Sequence, residues 1–243
     1  MRSTHLLAVA LAALLLTLPA DAAAEEATGP APPVEQACDD ARARAVAEVV
    51  QGRYDAVQHL EADFEQRTRS VVLGMGALPG EADTSVVSRG RVIFSKPGRM
   101  RWAYHEPEQS YVVSNGSVLW IYDVANAQAT RLPVGEQVLA GAALQFLLGE
   151  GRLAETFRIA AGSCTEAGVE LSLVPREAAS YERLGLVADP ASGLIRETSI
   201  VDLFGNRTRI RFEGLVTNRP PADGAFELEL PDGVDIIDMA TPR

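Results

Sequence analysis

Residues Gly90 to Asp123 read GRVIFSKPGRMRWAYHEPEQSYVVSNGSVLWIYD. Apolar and polar residues alternate through several short runs, broken by Pro97-Gly98, Glu106-Pro107 and Asn115-Gly116. A period of two, interrupted by turn dipeptides, is the pattern of consecutive antiparallel strands joined by tight turns. Within it Gly90, Val92 and Phe94 oppose Arg91, Ile93 and Ser95, and Met100, Trp102 and Tyr104 share one face opposite Arg99 and Arg101.

The same pattern extends outward. Val169, Leu171 and Leu173 alternate with Glu170 and Ser172, and Thr208, Ile210 and Phe212 with Arg207, Arg209 and Arg211. Phe226, Leu228 and Leu230 face away from Glu227 and Glu229, which predicts a last strand there. One apolar and one charged face describe an antiparallel sheet wet on one side. Turns are expected at Asn115-Gly116, Asp189 to Gly193 and Asp202 to Asn206, and a Gly/Pro-rich loop over 73–85. About ten or eleven strands with one apolar face must curl into a barrel or split into a sandwich.

Two helices interrupt the strands. Val46, Val49, Val50, Val57 and Leu60 recur at three- and four-residue spacing from Cys38 to about Leu60, with Asp39 or Asp40 as cap and Gly52 as a break or bend. This predicts one amphipathic helix or two short ones. Residues Gln137 to Leu148 crowd Val138, Leu139, Ala142, Leu144, Phe146, Leu147 and Leu148 onto a helix apolar nearly all round, which must be covered. Both are candidates to cover the apolar side of the sheet.

The first 22 residues read as a secretory leader: Arg2, an apolar run from Leu6 to Leu18, and Ala20-Asp21-Ala22 as cleavage site. No cysteine follows closely enough for lipid attachment, so the mature protein is expected to be exported, soluble and unanchored, in the periplasm or secreted. Residues 23–37 form a Pro/Ala/Glu linker, and 38–243 one domain. In an oxidising compartment Cys38 and Cys164 read as a disulfide ahead of two buried thiols, since C-x-x-C spacing is absent. So long a closure is worth about 4–5 kcal/mol if unstrained.

The net charge of −11 argues against nucleic acid, whose phosphates need a basic face. Of 22 basic residues only Lys96 is a lysine, which codon bias explains well enough. His59 and His105 have no partner at metal-ligand spacing, and no nucleophile elbow, zinc-protease motif, P-loop or dinucleotide fingerprint occurs. The chain is expected to be no enzyme and to need no cofactor or metal. A hydrolase would require buried paired carboxylates in an open cleft. A strand-rich sheet with an apolar closing helix can instead hold an apolar ligand, and methionine and leucine walls suit varied chains.

The ordered motifs A-D-F-E-Q at 62–66, K-P-G-R-M-R-W-A-Y at 96–104, L-W-I-Y-D at 119–123, D-L-F-G-N-R-T at 202–208 and P-D-G-V-D at 231–235 resemble the LolA family. The resemblance implies an incomplete, unclosed antiparallel β-barrel of about 11 strands, mainly β with a helical lid. It implies a monomeric periplasmic chaperone that takes triacylated lipoproteins from an inner-membrane ABC transporter to an outer-membrane receptor. By the same analogy Met100 and Trp102, with Tyr104 on their face, line an acyl-chain cavity; Leu144, Leu147 and Leu148 fall on its lid. Lys96 stands where the family often has arginine, near the cavity mouth. On this reading Trp102→Asp should spare folding and abolish loading. Related folds serve in envelope-stress sensing and glycolipid binding, so a non-enzymatic binder or sensor of other envelope lipids is the alternative.

Overall fold

The computed structural model describes residues 36–37, 39–71, 85–134, 151–165 and 168–239. The chain divides into two units, Met1–Pro32 and Pro33–Arg243, and all described residues belong to the second. That unit is built on one sheet. Its strands are β1 (Gln36–Ala37), β2 (His59–Arg69), β3 (Val86–Ser95), β4 (Arg99–Glu106), β5 (Ser110–Asn115), β6 (Val118–Asp123) and β7 (Gln128–Pro133). They continue as β8 (Phe157–Thr165), β9 (Gly168–Pro175), β10 (Tyr181–Ala188), β11 (Ile195–Asp202), β12 (Arg207–Thr217) and β13 (Asp235–Asp238). Helix α1 spans Asp40–Asp55, and a single turn, α2, spans Leu153–Thr156.

The strand order is β1-β8-β9-β10-β11-β12-β2-β3-β4-β5-β6-β7-β13. Neighbours are antiparallel throughout except β13, which adds parallel to β7. The two edges do not meet, so the sheet is unclosed, as an incomplete barrel requires. The run β2 to β12 supplies the strands anticipated from alternation; β1 and β13 are short additions at the edges.

Alternation sorts the residues onto two faces. The inner face carries Leu60, Ala62 and Phe64 of β2, Val92 and Phe94 of β3, and Leu171, Leu173, Leu184 and Leu186 of β9 and β10, in one continuous core. The outer face carries the charges as cross-strand pairs: Arg89 with Glu65 and Glu106 (2.8 Å each), Arg209 with Glu197 (3.0 Å), and Arg91 with Glu61 and Asp63. The arginines of these pairs are solvent-exposed, and each pair contributes about 1 kcal/mol at most.

Helix α1 begins where expected, with the Asp39 side chain accepting the Arg42 N–H at 2.7 Å. It ends earlier than the periodicity predicted. Leu60 belongs to β2, and Gly52 passes through the helix without a break. Val57 and Leu60 satisfy a helical spacing, but Leu60, Ala62 and Phe64 also satisfy a strand alternation, and pairing with β3 and β12 decides the matter. The buried face of α1 (Ala43, Val46, Ala47, Val50, Gln51 and Tyr54) packs against β8, β9 and α2.

A second correction concerns Phe226 to Leu230, which are not in the sheet. They cross the outer face of β3 to β6 as an irregular strap. Arg99 lies 5.1 Å from the centroid of the buried Phe226 ring, and Arg101 donates to the Glu227 carbonyl at 3.1 Å. Val113, Tyr122 and Ala129 are buried on the outer side, apart from the main core. The alternation is real, but it serves burial beneath a strap rather than a ladder. The turns at Asn115-Gly116, Asp189–Gly193 and Asp202–Asn206 fall as predicted, each with a glycine at positive φ. The 137–148 helix and the 73–84 part of the loop lie outside the described residues. Among the described residues no helix is long and apolar enough to cross a membrane.

Candidate functional site

Strand β4 sets the site. Its Met100, Trp102 and Tyr104 point to the inner face because Arg99, Arg101 and Ala103 take the outer one. Phe64 of β2 and Phe94 of β3 complete an aromatic floor. Phe64 meets Trp102 edge-on at 4.8 Å and Tyr104 at 5.1 Å, Phe94 meets Trp102 at 5.7 Å, and Trp102 stacks on Tyr104 at 6.4 Å. Edge-to-face contacts of this kind add about 0.5–1.5 kcal/mol each beyond area burial.

The floor is possible because residue 90 is glycine. It sits opposite Phe64 in the ladder, and a Cβ there would stand 2.0 Å from the Ala103 carbonyl oxygen and 2.9 Å from the Phe64 ring. Absence of a side chain lets the ring lie over the strand. Phe64 and Gly90 therefore belong to the site as much as the residues of β4. Their alternation was visible in sequence, but their cross-strand register was not.

The floor changes character along its length. Toward the end of β2 the inner face becomes polar: Tyr104 donates to Gln66 Oε1 at 3.2 Å, and Thr68 pairs with Thr208 at 3.3 Å. Burial pushes the Tyr104 phenol pKa up, so it stays a neutral donor. Toward the other end lie Phe94, Met100 and Leu60, all apolar and buried. Val112, Leu132, Ile210, Phe212 and Leu215 are only partly buried against this core.

Trp102 is 9% exposed and ringed by three aromatic neighbours. An aspartate there would be desolvated without a cation beside it, a large cost to folding. Trp102→Asp is therefore a poor separator of loading from folding; Trp102→Phe keeps the apolar floor and changes only its shape.

Lys96 stands at the end of α1. Its Nζ donates to the Tyr54 carbonyl, one of the last of the helix, and its N–H donates to the Gln58 carbonyl at 2.9 Å. A cation at a helix C-terminus meets the negative end of the dipole. Burial lowers the Lys96 pKa, with the nearby Asp55 acting in the opposite sense. The lysine fastens α1 to the β3–β4 turn.

Leu144, Leu147, Leu148 and Cys38 lie outside the described residues. Cys164 is buried, and no described cysteine is free. His59 Nδ1 is 3.0 Å from Ser95 Oγ, a satisfied pairing. Among the described residues no carboxylate is buried and no group of three or more His, Cys, Asp or Glu could hold a metal ion. What the inner face offers is apolar surface with a polar rim.

Residues 55–229 match the family model described as outer membrane lipoprotein carrier protein LolA. The chain belongs to the LolA family. An outer-membrane lipoprotein carrier protein of Cupriavidus taiwanensis is 30% identical over 195 residues, covering 79% of this chain and 88% of that protein. One of Methylococcus capsulatus is 32% identical over 187 residues, covering 76% and 83%. Among solved structures, a LolA superfamily protein from Nitrosomonas europaea aligns with a TM-score of 0.40 at 12% identity, covering 76% of this chain and 96% of that one.

Proposed function

We propose that this LolA-family protein is a periplasmic, non-enzymatic carrier that shelters the acyl chains of triacylated lipoproteins against its inner face. It receives them from an inner-membrane ABC transporter and delivers them to an outer-membrane receptor. The observation that carries the reading is the aromatic and methionine floor of β2 to β4 on an unclosed sheet, in a chain whose relatives are named for lipoprotein carriage.

The physics fits the task. Each acyl CH₂ left in water costs about 0.8 kcal/mol, so a triacylated anchor does not cross an aqueous space uncovered. Release without nucleotide requires a site weaker than the next receptor. A flexible thioether and part-open aromatic surface bind without the tight complementarity that would trap the cargo. Helix α1 is tied to the sheet beside the site, by Lys96 at its end, by Tyr54 Oη accepting the Ile195 N–H at 3.3 Å, and by Asp40 accepting the Ala161 N–H at 3.1 Å. The reading keeps Leu144, Leu147 and Leu148 as lid residues, and Met1 to Ala22 as the export leader.

It also includes a Cys38–Cys164 disulfide. In support, Gln36 pairs with Cys164 and Ala37 with Ser163, and Asp40 reaches Ala161, so the chain on both sides of position 38 runs beside Cys164. Reduction of the exported protein should lower its stability by about 4 kcal/mol, read by denaturant unfolding with and without dithiothreitol; no change would remove the bridge from the reading.

The deciding experiment is a photo-crosslinking amino acid at Trp102, installed in cells, with the adduct identified by mass spectrometry. Peptides bearing triacylated N-termini support carriage. Free lipid or glycolipid adducts alone would replace this reading with the lipid-binder alternative.

A further inference from the structure

At the end of the sheet beyond Thr68 and Thr208, the β11–β12 turn presents two large apolar side chains to solvent. Leu203 is 65% exposed and Phe204 84%. The turn is not loose. The Asp202 carboxylate accepts the N–H groups of Phe204 and Asn206 at 2.9 Å each and the Asn206 side-chain amide at 2.8 Å. These hydrogen bonds, the Asn206 side chain's first, hold the Asp202 pKa below the usual carboxylate range. Gly205 supplies the positive φ of 84° that closes the turn. Asn206 Oδ1 also accepts the Val71 N–H at 3.0 Å, which draws the exposed Val71 to the same tip. A rigid turn built to hold a phenylalanine in water has no rationale in stability.

The adjoining rung of the sheet is equally out of pattern. Arg207 and Arg69 are direct partners across β12 and β2. Like charges directly opposite are unfavourable, and neither arginine has an ion-pair partner among the described residues. One step further, Arg209 and Arg67 are matched by Glu197 at 3.0 Å and Glu65 at 2.8 Å. Arg69 and Arg207 thus set two positive charges beside the apolar tip in a chain of net charge −11.

From these observations we propose that the Leu203–Phe204 tip is a membrane-contact knuckle. Leu203 and Phe204 enter the interfacial layer of a bilayer while Arg69 and Arg207 pair with anionic lipid headgroups. Apolar side chains flanked by basic ones are the arrangement that lies in a bilayer interface, and each arginine near an anionic surface adds to binding. Two small contributions of each kind give reversible, salt-sensitive contact rather than anchoring. The proposal does not depend on what the inner face carries.

The test uses the exported chain without cargo and flotation with vesicles of phosphatidylethanolamine and phosphatidylglycerol. The wild type should float and should do so less as salt rises; vesicles of phosphatidylcholine should recruit it about tenfold less. Leu203→Ser with Phe204→Ser, and separately Arg69→Ser with Arg207→Ser, should each reduce binding about tenfold. Neither pair should lower the thermal unfolding midpoint, since all four side chains are exposed. A wild type that fails to float, equal binding to neutral vesicles, or serine variants that bind normally would each overturn the proposal. So would a photo-crosslinker at Phe204 that yields only protein adducts in cells, which would make the tip a protein-docking element.

Discussion

Under α1, strands β8 to β11 close on aliphatic side chains: Leu171, Leu173, Leu184, Leu186 and Ile195 are all exposed by 2% or less. On β2 to β5 the same face is paved with rings, and its margin (Tyr104, Val112, Leu132 and Phe212) stays partly open. The first region is fastened by specific hydrogen bonds as well as packing: Tyr54 to Ile195, and Gln51 to the Leu153 N–H at 2.9 Å. The second is held by ring contacts, which tolerate sliding better than a hydrogen bond does. One half of the sheet gives the fold its rigidity, which leaves the other half free to present surface.

The comparison can be broken by mutation. The largest effect is expected from Leu184→Ala, which leaves a cavity beneath α1 and should cost about 3–5 kcal/mol. Cargo loading of the folded fraction should be normal; urea unfolding and a loading assay check the pair. Gly90→Ala comes next, because its Cβ meets the Ala103 backbone rather than a movable side chain. It should cost about 3 kcal/mol and impair loading too, since Phe64 must shift. Trp102→Phe should lose only about 1 kcal/mol yet reduce loading severalfold. If it loads normally, or destabilises as much as Leu184→Ala, the distinction between the halves fails.

The smallest effect is at the hinge of the two regions. Lys96→Met removes the hydrogen bond from Nζ to the Tyr54 carbonyl and should cost about 0.5–1 kcal/mol at neutral pH. Its pH signature is specific. A base whose folded pKa lies below its unfolded one penalises folding while charged in both states, and the penalty fades as pH rises through the folded value. Relative to the variant, the wild type should therefore gain stability as pH climbs toward the ordinary lysine range, measured by unfolding at fixed salt.

Much of the sheet was legible because alternation is local. The inner-face assignment of Val92, Phe94, Met100, Trp102, Leu171 and Leu173 needs only the period of two, and the turns need only their glycines. What was not legible depended on partners distant in the chain. Leu60 reads as helix or strand until β3 and β12 pair with its segment. Phe226 alternates like a strand residue, but it is buried outside the ladder with the Arg99 guanidinium over its ring. The floor was half legible: β4 pointed to Trp102, whereas the dependence of Phe64 on Gly90 needed the register. Lys96 was conspicuous in composition, but its contact with the Tyr54 carbonyl lay outside any motif.

The two shortest strands bear on which cargoes can be handled. An unclosed sheet has two free edges, and either could capture an extended peptide as an added strand. Here β13 lies along Gln128–Arg131 of β7 and β1 along Ser163 and Cys164 of β8, so both edges are partly covered. A passenger polypeptide thus finds less of either edge open to backbone pairing. On the carrier reading, recognition falls to the lipid, which is common to every passenger, and the protein can be indifferent to what its passengers are made of.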